Sequence, residues 1–178
     1  MKDSIIDFFL LVCQKLETLQ VPYMLTGSAA MNFYSVIRTT QDLDIVLELQ
    51  EYQVEAFLSV FPNHYFHEPS ILSEIKRLGM FNLIDFNTGY KIDFILRKNT
   101  PYSAKAFARR WLSDDFGHSV WVISAEDLIL AKLQWIQQLY SDRQASDIQQ
   151  MLQSNQIDRV YLKYWVTELK LNTYAIIL

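Results

Sequence analysis

The chain reads as an α+β protein, a small mixed β-sheet flanked by helices and followed by a helical C-terminal part. Three observations predict this. Short alternating apolar segments fall between residues 23 and 123, helix-period segments lie before and among them, and from residue 124 onward only helical spacing remains. The 178 residues suit one domain, with a core over about 21–123 and the helical part over about 124–178. No repeat, low-complexity run or linker marks a boundary.

Ile5, Phe9, Val12, Leu16 and Leu19 recur at helical spacing, so a first amphipathic helix is expected to end near Gln20, ahead of Pro22. Residues 23–26 then read as a short strand, Gly27-Ser28 as a turn into a helix running to about Tyr34, and residues 43–49 as a second strand. Residues 51–61 are helical by period and 71–77 form a short helix, separated by a loop holding Pro62 and Pro69. Residues 80–85 and 90–96 flank Phe86-Asn87-Thr88-Gly89 and predict a hairpin whose Asn87 and Gly89 tolerate positive φ. After Pro101, residues 103–111 read as helix and 118–123 as a last strand. Ser124, with Asp127 three residues on, resembles a capping box opening a long helix. Residues 143–152 and 158–169 complete the chain as two more helices.

Composition sets outer limits on function. With 51% apolar and 20% charged residues the chain is neither disordered nor a coiled coil. The net charge of -4 gives no overall pull toward nucleic acid, so an RNA or DNA partner would need a local basic patch. Cys13, the lone cysteine, falls in the first amphipathic pattern and rules out an intramolecular disulfide or a cysteine-built zinc site. No stretch reaches the roughly 18 apolar residues of a membrane span. The N-terminal segment carries acids where a secretory signal carries bases, so the expectation is a cytoplasmic protein without a membrane partner.

The chemistry concentrates in the second strand. Residues two apart on a strand share a face, so Asp42 and Asp44 stand side by side while Leu43 and Ile45 point into a core. Such like charges repel unless a cation holds them, and hard oxygen ligands suit Mg2+ or Mn2+. Asp93 sits in the same way between Ile92 and Phe94. If its strand lies beside the first, three carboxylates converge, enough to hold the pair of ions about 3.5 to 4 Å apart that serves phosphoryl transfer. Gly27 and Ser28 complement them, because a glycine lets a phosphate approach the backbone and the start of the following helix favours negative charge.

Gly27-Ser28, a gap of thirteen residues, Asp42-Leu43-Asp44 and a later strand aspartate together resemble the nucleotidyltransferase fold of the DNA polymerase β superfamily, and more narrowly the bacterial abortive-infection toxins of the AbiEii/AbiGii type. The resemblance implies an NTP substrate, with Gly27 and Ser28 on its triphosphate. It also implies Asp42 and Asp44 as ligands of both metals, and Asp93 as ligand of the catalytic metal and activator of the incoming hydroxyl. Downstream, SAEDLILAKLQW and SDRQASDI are similar to the family's C-terminal helical motif, which places Lys132, Arg143 and Asp147 near the nucleotide. Arg38 and Thr39 match an Arg-Thr ahead of the aspartates. The reaction so implied moves a nucleoside monophosphate from an NTP to a hydroxyl on an RNA 3′ end or a protein, in a toxin or phage-defence protein with an antitoxin partner. Two alternatives stand beside it, a small-molecule nucleotidyltransferase of the antibiotic-modifying kind and a non-catalytic nucleotide-binding or antitoxin protein of the same fold.

Plainer readings compete at each position. An Asp-x-Asp on a strand is more often a solvated face than a metal site, and Lys132 and Arg143 could pair with nearby acids, Arg143 with Asp147 for instance. Arg38 could pair with Asp42 or Asp44. His64, His67 and Glu68 have the bare look of a metal site, but Pro62 and Pro69 argue for an irregular loop. Tyr161, Tyr164 and Trp165 read as a core stripe rather than a base-stacking platform. Lys76-Arg77, Arg97-Lys98 and Arg109-Arg110 are the candidates for an RNA-facing patch.

Overall fold

The computed structural model describes residues 4–34, 40, 42–62, 64–115 and 117–177. Among the described residues, seven strands form one mixed sheet: β1 (Tyr23–Thr26), β2 (Asp42–Leu47), β3 (His64–Tyr65), β4 (Met80–Asp85), β5 (Lys91–Leu96), β6 (Trp111–Ser113) and β7 (Val120–Val122). Their order across the sheet is β3-β4-β5-β2-β1-β7-β6. β2 runs parallel to β5 and antiparallel to β1, which in turn lies parallel to β7. The helices are α1 (Ile5–Thr18), α2 (Gly27–Ala30), α3 (Val54–Ser59), α4 (Glu68–Arg77), α5 (Pro101–Ala108), α6 (Ala125–Ile136), α7 (Asp142–Met151) and α8 (Arg159–Glu168).

The alternation in β2 and β5 gives the sheet two unlike faces. Leu43, Ile45, Leu47, Ile92, Phe94 and Leu96 are buried on one of them. There Phe57 meets Phe61, Phe66, Phe81 and Phe94 with ring centroids 5.3 to 5.8 Å apart, edge-on or tilted as aromatic quadrupoles prefer. Asp42, Asp44, Asp93 and Lys91 rise from the opposite face, and α5 and α6 close over its far end. All four residues of β1 are buried, as a strand covered on both faces requires.

The structure shifts several expected elements. α4 begins at Glu68, three residues before the expected 71, and Pro69 occupies its first turn, where a missing N–H costs nothing. α5 stops at Ala108, so Trp111 opens β6 rather than closing a helix. β3 and β6 are short edge strands that the sequence did not announce. The hairpin forms where expected, with Gly89 at φ +73° while Asn87 does not take up positive φ, and Asp85 accepts hydrogen bonds from the Thr88 N–H at 2.9 Å and the Thr88 hydroxyl at 2.6 Å. Ser124 caps α6 by accepting from the Asp127 N–H at 3.3 Å. Among the described residues, no helix is long and apolar enough to cross a membrane.

Candidate active site

The parallel pairing of β2 with β5 decides the site. It sets Asp44 directly opposite Asp93 and Asp42 opposite Lys91. With the flanking pairs, Thr26, Asp44, Asp93 and Asn82 form one row across four adjacent strands. Side chains in register on neighbouring strands stand close enough for like charges to interact. The two carboxylates that lie 49 positions apart in the sequence thus face one another.

Gly27 follows Thr26 at the end of β1 with φ +66°, and a Cβ built there would lie 1.9 Å from Asp44 Oδ2. Glycine is required twice, for the left-handed backbone and for the carboxylate pressed against it. Burial first, then the charges of Asp93 and Asp42, push the Asp44 carboxyl up to about 6, with Lys132 and Lys91 opposing. Lys91 Nζ lies 3.0 Å from Asp93 Oδ2 and 3.8 Å from Asp42 Oδ1. Its hydrogen bond to Asp93 holds the ammonium above its ordinary range. Asn82 Nδ2 donates to the other Asp93 oxygen at 2.8 Å.

Beside Asp44 opens a cavity of about 220 Å³ lined by Gly27, Ser28, Asp44, Lys132, Gln144 and Trp135, among others. Lys132 does not face solvent: it is 4% exposed and donates to Gln144 at 2.8 Å and to Asp147 at 2.9 Å. Arg143 is exposed on α7 and is not part of the cavity wall. Arg38 and Thr39 lie outside the described residues. A second cavity of about 300 Å³ continues along the sheet past Val46, Ile95 and Tyr102, and Trp135, 59% exposed, borders both.

The donor set fits a hard divalent ion in kind: three carboxylates, one of them desolvated among like charges, which a cation would relieve. Among the described residues, however, no group of three His, Cys, Asp or Glu is arranged to hold a metal ion, and a lysine ammonium stands between two of the carboxylates. The histidines go elsewhere. His64 stacks on Phe8 and lies 3.6 Å from Asp85, while His67 contacts Ser70. Sequence reasoning did not mark Asn82, Gln144 or Trp135. Lys91 was visible as a neighbour of Asp93 two positions earlier, but its partners depend on register.

No family model matches the chain, and no curated protein does. Solved structures do. The antibiotic-resistance factor ANT(2'')-Ia aligns over 96% of this chain and 97% of its own, with TM-score 0.54 and 11% identity. The lincosamide antibiotic adenylyltransferase LnuA, lincomycin-bound, aligns over 83% and 96% with TM-score 0.53 and 12% identity. An antigenic nucleotidyltransferase-like protein from Paracoccidioides brasiliensis aligns over 90% and 87% with TM-score 0.53 and 18% identity. The chain therefore has the nucleotidyltransferase fold. A narrower kinship with abortive-infection toxins is not among these similarities.

Proposed function

We propose that the protein is a metal-assisted nucleotidyltransferase that moves a nucleoside monophosphate from an NTP to a hydroxyl acceptor and releases pyrophosphate. The observation that carries this reading is the cross-strand pair of Asp44 and Asp93 beside Gly27 and a cavity bordered by Lys132. In the transfer, the acceptor oxygen bonds to the α-phosphorus and the bond from that phosphorus to the α–β bridging oxygen breaks. Pyrophosphate leaves with the electron pair, and the acceptor's proton passes to the Asp93 carboxylate. Gly27 and Ser28 bring backbone against the phosphates, and Lys132, oriented by Asp147 and Gln144, supplies positive charge from the lining of the same cavity. Mg2+ or Mn2+, held by Asp42, Asp44 and Asp93, would offset charge on the phosphoryl oxygens. By the family resemblance Arg38, Thr39 and Arg143 also contribute to the nucleotide site in this reading, Arg143 from the exposed side of α7 and outside the cavity wall.

One observation bears on the acceptor. The bases that would form an RNA-facing patch are engaged within the chain. Lys76 pairs with Glu51 at 3.3 Å, Arg77 with Glu74, and Arg97 with Glu48. Lys98 donates to the Leu78 carbonyl. Arg109 pairs with Glu126 and Asp127, and Arg110 lies over the rings of Phe107 and Trp121. With a net charge of -4, this favours a small hydroxylated molecule over an RNA 3′ end.

Incubation with labelled NTPs and Mg2+, in parallel with total RNA, protein extract and a panel of small hydroxylated compounds, tests both points. The expected result is label on a small molecule, abolished in Asp44→Asn and Asp93→Asn while both variants keep the wild-type circular dichroism spectrum. Label on RNA or protein would restore the toxin-type acceptor and direct the search to an antitoxin partner. Equal labelling by wild type and both variants defeats the enzymatic reading.

A further inference from the structure

The carboxylate row contains its own cation. Asp93 Oδ1 accepts from Asn82, its Oδ2 accepts from Lys91, and the same ammonium reaches Asp42 Oδ1 across the strand pair. The position is fixed by two geometric facts. Lys91 shares a face with Asp93 because they are two apart on β5, and it stands in register with Asp42 on β2. An ion ligated by Asp42 and Asp93 would therefore compete with Lys91, which holds one oxygen of each while Asn82 holds the other oxygen of Asp93. The lysine is equipped to leave, since its side chain is 33% exposed and ends a flexible stem with no second fixed geometry to satisfy.

We propose that Lys91 is an internal competitor for the divalent ion: its ammonium bridges Asp42 and Asp93 in the free protein and must swing out before these carboxylates ligate a metal. The proposal rests on the reading of Asp42, Asp44 and Asp93 as metal ligands and adds a device that keeps the free site balanced and its metal affinity low. Asp44, whose carboxylate lies against Gly27 and borders the cavity, is the member of the trio that Lys91 does not bridge. The lysine then behaves as a gate whose position depends on how much divalent ion, or metal carried in by a nucleotide, reaches the row.

The test is Mn2+ binding to the full chain without nucleotide, followed by electron paramagnetic resonance, for wild type, Lys91→Met and Lys91→Gln. Methionine and glutamine keep the stem and remove the charge, and a thermal melt of each variant confirms that it is folded. Both should bind Mn2+ at least about tenfold more tightly than wild type, a difference of about 1.4 kcal/mol. Adding Asp93→Asn to Lys91→Met should abolish that gain, which locates the ion in the row. Equal or weaker Mn2+ binding by both lysine variants overturns the gate while leaving the metal site intact. Absence of Mn2+ binding by wild type and both variants overturns the metal reading and the gate with it.

Discussion

Two clusters of acids, built from the same residue types, have opposite electrostatic situations. At the start of α6, Asp127 is 0% exposed yet surrounded by donors. It accepts from Arg109 Nε at 3.1 Å, the Tyr161 hydroxyl at 2.8 Å and the Ser124 hydroxyl at 2.6 Å. Its neighbour Glu126 takes the Arg109 Nη2 at 2.8 Å and the Asp158 N–H at 3.0 Å. The helix N-terminus adds a further favourable field. Asp44 instead faces Asp93, has Asp42 two residues away and presses on Gly27. Where the compensating charge and donors are supplied from within the chain, acids tie α5, α6 and α8 together. Where compensation is incomplete, the acids carry charge that, in the proposed reaction, an ion from outside would offset.

The largest expected effect breaks the first cluster. Asp127→Ala leaves the Tyr161 and Ser124 hydroxyls without their shared acceptor and Arg109 with Glu126 alone, and should cost about 3–5 kcal/mol. For a chain of this size that lowers Tm by about 10 °C or more in a circular dichroism melt. A melt within a degree or two of wild type would show that the hub is not the clamp its geometry suggests.

The next effect has the opposite sign. Asp44 is raised to about 6 from an ordinary value near 3.8, so the folded state favours its neutral form. The unfolded chain ionises this group first as pH rises. Stability from Asp44 is therefore intact below about 4, falls between about 4 and 6, and is at its lowest above 6. Asp44→Asn removes the charge and should stabilise the metal-free protein by on the order of 2–3 kcal/mol at neutral pH, with no gain below about pH 4. Urea melts at pH 4 and pH 7.5 measure both. A variant less stable than wild type at neutral pH would mean that Asp44 is compensated like Asp127, and the contrast would vanish. Mg2+ should stabilise wild type and not this variant.

The contrast also explains what could be read from the sequence. Alternation made the strands around Asp44 and Asp93 legible, and the i, i+2 rule put Asp42 beside Asp44. It could not show that β5 lies parallel to β2 in the register that opposes Asp44 to Asp93, because a one-residue slip would turn Asp93 into the core. Asn82 enters the row only through the β4–β5 register, and Lys91 meets Asp42 only through that of β2 and β5. β3 and β6 are two and three residues long, too short to carry a period. Pro69 read as a breaker because the same residue serves loops and first turns of helices alike. At the hub, Ser124 and Asp127 were legible as a cap, being local. Their links to Arg109 and Tyr161 span 18 and 34 positions and depend on packing.

The finest comparison removes one neutral donor from each cluster. Tyr161→Phe keeps the ring over which the Arg109 guanidinium lies at 4.0 Å and deletes only the hydroxyl that donates to Asp127 Oδ1. That oxygen is wholly buried, so water does not replace the lost donor, and the cost should be about 1.5 kcal/mol, or roughly 4 °C in Tm. Asn82→Ala deletes the donor to Asp93 Oδ1 from an exposed position. Water takes over the lost bond, and the cost should be a few tenths of a kcal/mol. Equal losses in the two melts would mean that the row is sealed as tightly as the hub, and that nothing from solvent reaches Asp93.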